Sequence, residues 1–326
     1  MDKFFSKLES FLKKHITRRT FFKVCFGFLA LFVSQKLLFK LAFAKTPLSD
    51  GRTGTKIKGD HDLVVVEGKD PYKNTVKAVE AMGGMERFVK PGGVVVIKAN
   101  MSWDRTPEQA GNTDPEVVGA LVDMCYKAGA KRVNMFDNTC NHPFRSYASS
   151  GIPPVAKQKG AYVYHPDQWN VVKLHRPYKS PMEGWPVYRD AVECDTFINV
   201  PILKHHGLTG LTLSMKNLMG VCSGQRPLIH MDIGNKLADL TDFIRPDLTV
   251  IDANRVLVRN GPSGGDLKDV VRKDTMIAAT DPVLADAFAC VLVERDPMSI
   301  SYIKAAVERG YGSADLKKAD IVKLKV

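Results

Sequence analysis

The stretch Asn199-Val-Pro201-Ile-Leu-Lys204-His205-His206-Gly-Leu-Thr-Gly-Leu-Thr-Leu-Ser214-Met-Lys216-Asn217-Leu-Met-Gly220-Val-Cys222 gathers lysines and histidines around closely spaced glycines. Ammonium groups draw carboxylates and phosphates, and glycine lets the backbone come close to such an anion. A histidine near two lysines is disfavoured as a cation, which keeps it neutral and able to accept a proton, with Asp137 or Asp252 to orient it. That combination suits proton abstraction next to a carboxylate. His206, Lys204, Lys216 and Asp137 are therefore the candidate catalytic groups. Lys98, Asn100, Asn217, Asp252 and Asn254 are the candidate contacts to a small anionic ligand. The competing reading makes the lysines surface side chains whose stems cover apolar neighbours.

Metal-ligand types are present too. His206, His230, Cys222 and Cys140 are the candidate ligands, and imidazole suits zinc, iron or nickel. Spacing gives them no support, because the chain has neither a His-Glu-x-x-His helix nor a finger-type Cys-His pair. A metal ion or an iron-sulfur cluster stays open as the cofactor, with single buried thiols as the plain alternative. Ser214 lacks a Gly-x-Ser-x-Gly elbow, and Gly261, Gly264 and Gly265 form neither a phosphate loop nor a dinucleotide fingerprint. Serine acyl transfer and nicotinamide chemistry are disfavoured accordingly.

Elements must bring these groups together. Apolar strands alternate with helical patterns: strand 63–66, helix 73–82, strand 94–98, helix 115–128 and strand 132–136. Further strands are expected at 162–164, 171–174, 197–200, 249–251 and 321–326, and helices at 236–244, 282–293 and 299–309. The alternation predicts an α/β fold with a mostly parallel, or mixed, sheet flanked by helices, in one domain over 62–326 that could form two lobes. In such a sheet the ligand crevice lies beyond the carboxyl ends of the strands. Lys98 and Asn100, Asp137 and Asn138, Lys204 to His206, and Asp252 and Asn254 each follow a strand, which predicts one shared polar crevice. Asp114-Pro115, Asp281-Pro282 and Asp296-Pro297 precede helical patterns, where the aspartate caps free N–H groups and proline fits the first turn.

Net charge is +12 over 326 residues, but the first 44 hold nine lysines and arginines against two acids, a surplus of seven that leaves +5 for the rest. No dense basic block interleaved with aromatics appears, so nucleic acid is not an expected partner. Cys25 falls in the amino-terminal segment, and the other five cysteines are scattered without a Cys-x-x-Cys pair, which argues against a disulfide framework. Residues 45–61 are rich in Gly, Lys, Thr and Asp and read as a flexible lead-in.

Two resemblances are specific. Thr17-Arg18-Arg19-Thr20-Phe21-Phe22-Lys23, followed by an apolar run from Val24 to Val33 and by Ala42-Phe43-Ala44, resembles a twin-arginine export signal over residues 1–44. It implies the twin-arginine translocase as a partner and a periplasmic or outer-face location. An uncleaved signal would leave an amino-terminal membrane tether. That route carries folded proteins, often with a cofactor installed, so a metal or redox group fits it.

The block from Pro201 through Asn217, with Val96-Ile97-Lys98-Ala-Asn100 upstream and Gly261-Pro262 and Thr280-Asp281-Pro282 downstream, resembles the bacterial and archaeal family known as domain of unknown function three hundred and sixty-two. Pro201, Lys204, His206, Lys216 and Asn217 fall on the family's pattern, and His230 and Asp239-Leu240 fit its downstream part. Ala99 stands where the family often has proline, and no ferredoxin-like cysteine cluster is appended. The resemblance implies a fold and a site without a settled reaction. Two expectations follow: an exported metal- or iron-sulfur-dependent enzyme acting on a small anion, or a non-catalytic exported module binding an anion, a metal or a redox partner.

Overall fold

Runs of β-branched residues make the strands, and the tightest lie mid-sheet with both faces covered. The computed structural model describes residues 46–52 and 57–326. The expected signal at 1–44 lies outside the described residues. Among the described residues no helix is long and apolar enough to cross a membrane.

The strands are β1 (Leu48–Ser49), β2 (Leu63–Glu67), β3 (Val94–Ala99), β4 (Arg132–Met135), β5 (Tyr162–Val163), β6 (Val171–Leu174), β7 (Pro186–Tyr188), β8 (Thr196–Val200), β9 (Ile202–His206), β10 (Gly210–Thr212), β11 (Leu248–Leu257), β12 (Val270–Ala279) and β13 (Ile321–Lys325). The helices are α1 (Pro71–Ala81), α2 (Pro115–Lys127), α3 (Pro143–Ser150), α4 (Ile152–Gln158), α5 (Arg189–Glu193), α6 (Ser214–Asn217), α7 (Ile233–Ile244), α8 (Pro282–Leu292) and α9 (Ser301–Glu308). The central sheet has the order β13-β2-β12-β11-β8-β3-β4-β5, with β9 and β10 attached beside β11. From β11 to β5 every neighbour is parallel, whereas β12 runs antiparallel to both β11 and β2. The fold is α/β with a largely parallel sheet, as the alternating pattern predicts. A separate small sheet joins β1, β6 and β7.

Strand alternation divides the sheet into two faces. Val64, Val66, Val95, Ile97, Ile198, Val200, Val250, Met276 and Ala278 share one core with residues of α1 and α2. The intervening Val65, Val96, Phe197, Ile251 and Ile277 are buried on the other face. Each of these side chains larger than alanine contributes about 1.5–3 kcal/mol when fully buried. Asp114 and Asp281 accept from N–H groups of the first turns of α2 and α8, so these Asp-Pro pairs do cap helices.

Two boundaries differ from expectation. The lead-in is not free along its described part: Leu48–Ser49 pairs in parallel with β6, and Arg52 forms a 2.7 Å ion pair with Asp247 while its backbone N–H donates to Phe243 O. The buried guanidinium anchors a segment whose composition alone suggested a loose leader. The strand expected at 249–251 extends to Leu257, because β12 pairs along nearly its whole length.

Candidate functional site

Pro201 divides one extended run into β8 and β9. Having no N–H, it contributes only its carbonyl, which accepts from Asp252 N at 2.9 Å. β8 pairs with the start of β11 and with β3, where Lys98 lies opposite Asn199. β9 pairs with the later part of β11 and turns back into β10, placing Lys204 opposite Thr212. The β9–β10 hairpin forms one wall of a cleft of about 350 Å³. The opposite walls come from Asn100 to Trp103, Cys140, the segment Lys216 to Gly220, the turn carrying Arg226 and His230, and Gly261-Pro262.

Lys98 and Asp137 lie behind the floor as a 3.0 Å ion pair with both side chains fully buried. Lys98 Nζ also donates to Ala99 O at 2.7 Å and to Asn217 Oδ1 at 3.0 Å. Asp137 Oδ2 accepts from Met101 N and Ser102 Oγ, both at 2.8 Å. Burial pulls the Lys98 pKa down, with Asp137 opposing the shift. Gly220 packs against this pair so closely that a Cβ there would stand 1.9 Å from Asp137 Oδ1 and 2.4 Å from Lys98 Cε. Only a glycine fits. Lys98 and Asp137, expected to contact ligand and to act in catalysis, are thus engaged with each other and with the floor of the cleft.

Asn217 joins the layers. Its Nδ2 donates to Lys98 O at 3.0 Å and to Asn199 Oδ1 at 2.9 Å, and its Oδ1 receives Lys98 Nζ and Asn100 Nδ2. The short helix α6 is fixed by Asp286 of α8, whose carboxylate accepts from Ser214 N at 2.7 Å and Met215 N at 3.1 Å. Burial raises the Asp286 pKa to about 7.

Lys204 and Lys216 differ from Lys98. Lys204 is 1% exposed and donates to Gly111 O at 2.5 Å, with its Nζ 5.7 Å from the centre of the Trp103 ring. Asn112 holds Trp103 in place by accepting from its N–H at 3.0 Å and donating to its carbonyl at 2.8 Å. Lys216 is 8% exposed, and among the described residues its Nζ reaches only Met219 Sδ, at 3.6 Å. Neither ammonium has a carboxylate within ion-pair distance among the described residues, and no acidic residue lines the cleft. Burial first, then nearby cations, lowers the Lys204 pKa to about 7, and burial chiefly lowers that of Lys216 to about 8. Arg226 adds a third cation, its guanidinium donating to Asn138 O and, at 2.8 Å, to Thr139 O.

His206 and His230 stack with ring centres 5.9 Å apart. Burial, with Lys216 next, drives the His206 pKa down to about 3, so the ring is neutral as expected. Its Nδ1 accepts from Leu208 N at 3.2 Å, which puts the ring proton on Nε2. Leu208 therefore occupies the lone pair that a base would use, and proton acceptance moves elsewhere. His230 Nδ1 lies 3.2 Å from Pro227 O, a bond that only an N–H can make, so its Nε2 keeps the lone pair. Burial lowers the His230 pKa as well.

The remaining expected residues fall outside the cleft. Because β11 continues, Asp252 and Asn254 lie within the strand instead of after it. Asp252 shares a face with Val250, towards the core of α1 and α2. Its carboxylate accepts from Asp114 N at 2.8 Å and from Asn254 N and Nδ2, while Asn254 Oδ1 receives Asn74 Nδ2 of α1. Burial and the adjacent Asp114 raise the Asp252 pKa to about 6. Cys222 is buried with its pKa raised to about 12 and does not line the cleft, whereas Cys140 is exposed at the rim, 3.5 Å from Arg226. The donors expected for a metal or cluster do not converge: among the described residues no three His, Cys, Asp or Glu side chains are grouped to hold an ion.

Trp103, Arg226 and Asp286 act here without having been singled out from the sequence, whereas Asn112, in the Asn112-Thr113-Asp114 run before α2, reads from the sequence as a residue that could edge a pocket. Arg226 lies close to Cys222 in a Ser-Gly-Gln-Arg-Pro turn, the one signal available for it.

A "Thylakoid-associated protein sll1697" from Synechocystis sp. is 30% identical over 250 residues, covering 71% of this chain and 72% of that protein. The lactate racemase apoprotein from Thermoanaerobacterium thermosaccharolyticum aligns with a TM-score of 0.45 at 13% identity, covering 76% of this chain and 61% of the other. The family model named domain of unknown function (DUF362) matches residues 95–291, more than half the chain and the whole span from β3 through most of α8, and the chain belongs to that family.

Proposed function

We propose that the cleft is the binding and reaction site for a small anion, held between the amines of Lys204 and Lys216 with Arg226 beside them. One observation carries this reading: two lysines are buried without an acidic partner among the described residues, in a cleft with no acidic lining. Leaving a buried cation unpaired is strongly unfavourable in a folded protein. A bound carboxylate or phosphate supplies the missing charge, and binding it favours the protonated amines. His230 Nε2, with its free lone pair, is the proton acceptor, and His206 Nε2–H is a hydrogen-bond donor to the ligand. The donor geometry does not fit a metal or cluster, so no step is routed through one.

Titrating the full chain with acetate and with inorganic phosphate, followed by NMR shifts of the lysine side chains, tests the site. Saturable binding, weakened at least about tenfold in Lys204→Met and in Lys216→Met, is the expected result. Binding unaffected by both substitutions would overturn the reading. For the reaction, exchange of solvent deuterium into the carbon next to the carboxylate, lost in His230→Gln, separates an enzyme from a binding module.

Export completes the proposal. The Thr17-Arg18-Arg19 segment supports it, and so does a 30% identical relative named for its thylakoid association. Replacing Arg18 and Arg19 by lysine should retain the protein in the cytoplasm, and unchanged fractionation would remove this part of the reading.

A further inference from the structure

Two residues of the cleft lining each bury a polar atom that has no hydrogen-bond partner among the described residues: Asn100 Oδ1 and Thr212 Oγ1. Both residues are about 95% buried, so bulk water does not readily serve them.

The orientation of Asn100 is set by a chain of amides. Asn199 Nδ2 donates to the backbone carbonyl of Ser214 at 2.9 Å, leaving Asn199 Oδ1 to accept from Asn217 Nδ2 at 2.9 Å. Asn217 Oδ1 must then be the atom receiving the Lys98 ammonium at 3.0 Å, and it also takes Asn100 Nδ2 at 3.3 Å. Turning any of these amides over would set oxygen against oxygen or N–H against ammonium. The chain therefore ends in an oxygen, Asn100 Oδ1, a buried acceptor without a partner among the described residues, on a residue of the cleft lining. A buried acceptor of this kind calls for a donor from the ligand.

Three kinds of donor-bearing or donor-free neighbour can be compared. An amino group next to the anionic group would be protonated, and it would meet Lys204, Lys216 and Arg226 with no acidic residue in the lining to balance it. A carbonyl offers only lone pairs to Asn100 Oδ1. A hydroxyl is neutral and supplies the O–H. Thr212 lies directly across the β9–β10 ladder from Lys204, so the two side chains share one face of the hairpin, and the Thr212 hydroxyl has no partner of its own among the described residues.

We propose that the ligand of this cleft is a hydroxylated anion, with its anionic group on Lys204 and Lys216 and a neutral hydroxyl donated to Asn100 Oδ1. The proposal rests on the reading of the cleft as an anion site and specifies the substrate class for it. Trp103, Leu208, Met219 and Pro262 in the walls accept an apolar substituent on the same molecule.

The test uses matched acids on the full chain, by NMR or calorimetry: glycolate against acetate and methoxyacetate, and mandelate against phenylacetate. The first set keeps the carboxylate while removing or blocking the O–H, and the second does so with an apolar ring attached. A preference of at least about tenfold for the hydroxy acid in either set is expected, because an acid without the O–H leaves Asn100 Oδ1 buried and unpartnered. Asn100→Ala should abolish that preference by weakening the hydroxy acid more than its matched partner, and Thr212→Val should weaken every acid together. Equal binding within both sets, or a preference that survives in Asn100→Ala, overturns the proposal. If Asn100→Ala does not fold, the wild-type comparison alone decides. The two readings fail differently: no acid and no phosphate binding removes the anion site itself, whereas acetate binding without hydroxyl preference removes only this inference.

Discussion

Lys98 and Lys204 lie in neighbouring parts of one sheet, both almost wholly inaccessible, yet they belong to opposite electrostatic regimes. Around Lys98 the protein supplies a carboxylate, a carbonyl and an amide oxygen. Around Lys204 it supplies one backbone carbonyl and an aromatic face. The first arrangement is closed by the protein itself; the second leaves acceptors for the proposed anion to supply. Burial alone does not separate these two lysines, whereas counting their acceptors does.

The contrast predicts opposite mutational behaviour. Removing one member of the closed pair, as in Asp137→Ala or Lys98→Met, should cost about 3–5 kcal/mol in denaturant unfolding, since the other charge is left buried and alone. Gly220→Ala should follow at about 1–3 kcal/mol, because the added methyl must displace the pair and its surroundings. A normal unfolding midpoint for Gly220→Ala would show that the pair moves freely and would weaken the distinction drawn here.

Lys204→Met should leave stability within about 1 kcal/mol of wild type, or raise it, while anion binding falls at least about tenfold. Acidity sharpens the point. The folded-state Lys204 pKa, about 7, lies below its ordinary 10.5, so between those values the unfolded chain holds a proton that the folded chain lacks. Stability should therefore gain from Lys204 as pH rises through that window, with the penalty complete below about pH 7, and Lys204→Met should remove this slope. Anion affinity should run the other way, falling as pH rises past about 7–8 and the amines of Lys204 and Lys216 lose their protons. The smallest effect belongs to the Asp252 cluster: Asn254→Ala should cost about 1 kcal/mol through lost hydrogen bonds and leave anion affinity within about twofold.

Much of the architecture was legible because the core strands and helices follow their periods closely. The strand at Val171–Leu174 agrees with expectation at both ends, and α2 and α8 end one residue earlier than expected. β12 was not expected, since its outer half carries Arg272, Lys273 and Asp274, whose charges mask the apolar half that joins the core. The site was legible as a neighbourhood of residue types near strand ends, although Lys98 lies within β3 and Lys204 to His206 within β9 instead of after a strand. What each residue does there depends on partners far away in sequence. The strand-end rule failed at Asp252 because β11 runs on, and it could not reveal that Asp137 neutralises Lys98 or that Leu208 N occupies His206 Nδ1. Cys222 shows the same limit from the other side, since its neighbour Asn138 takes the Cys222 carbonyl while the thiol is buried away from the cleft.

The absence of any acidic side chain from the cleft lining also bears on how a ligand would be selected. At physiological ionic strength the field of exposed charges fades over about 8 Å, whereas the buried lysines of the cleft are screened much less and would act on an ion at its mouth and inside it. Entry then requires shedding hydration water, which costs a compact, doubly charged oxyanion more than a singly charged carboxylate. If the cleft takes an anion as proposed, the lowered pKa values of its buried amines would favour ions that release their water readily, with dehydration weighing more than charge in which anions stay.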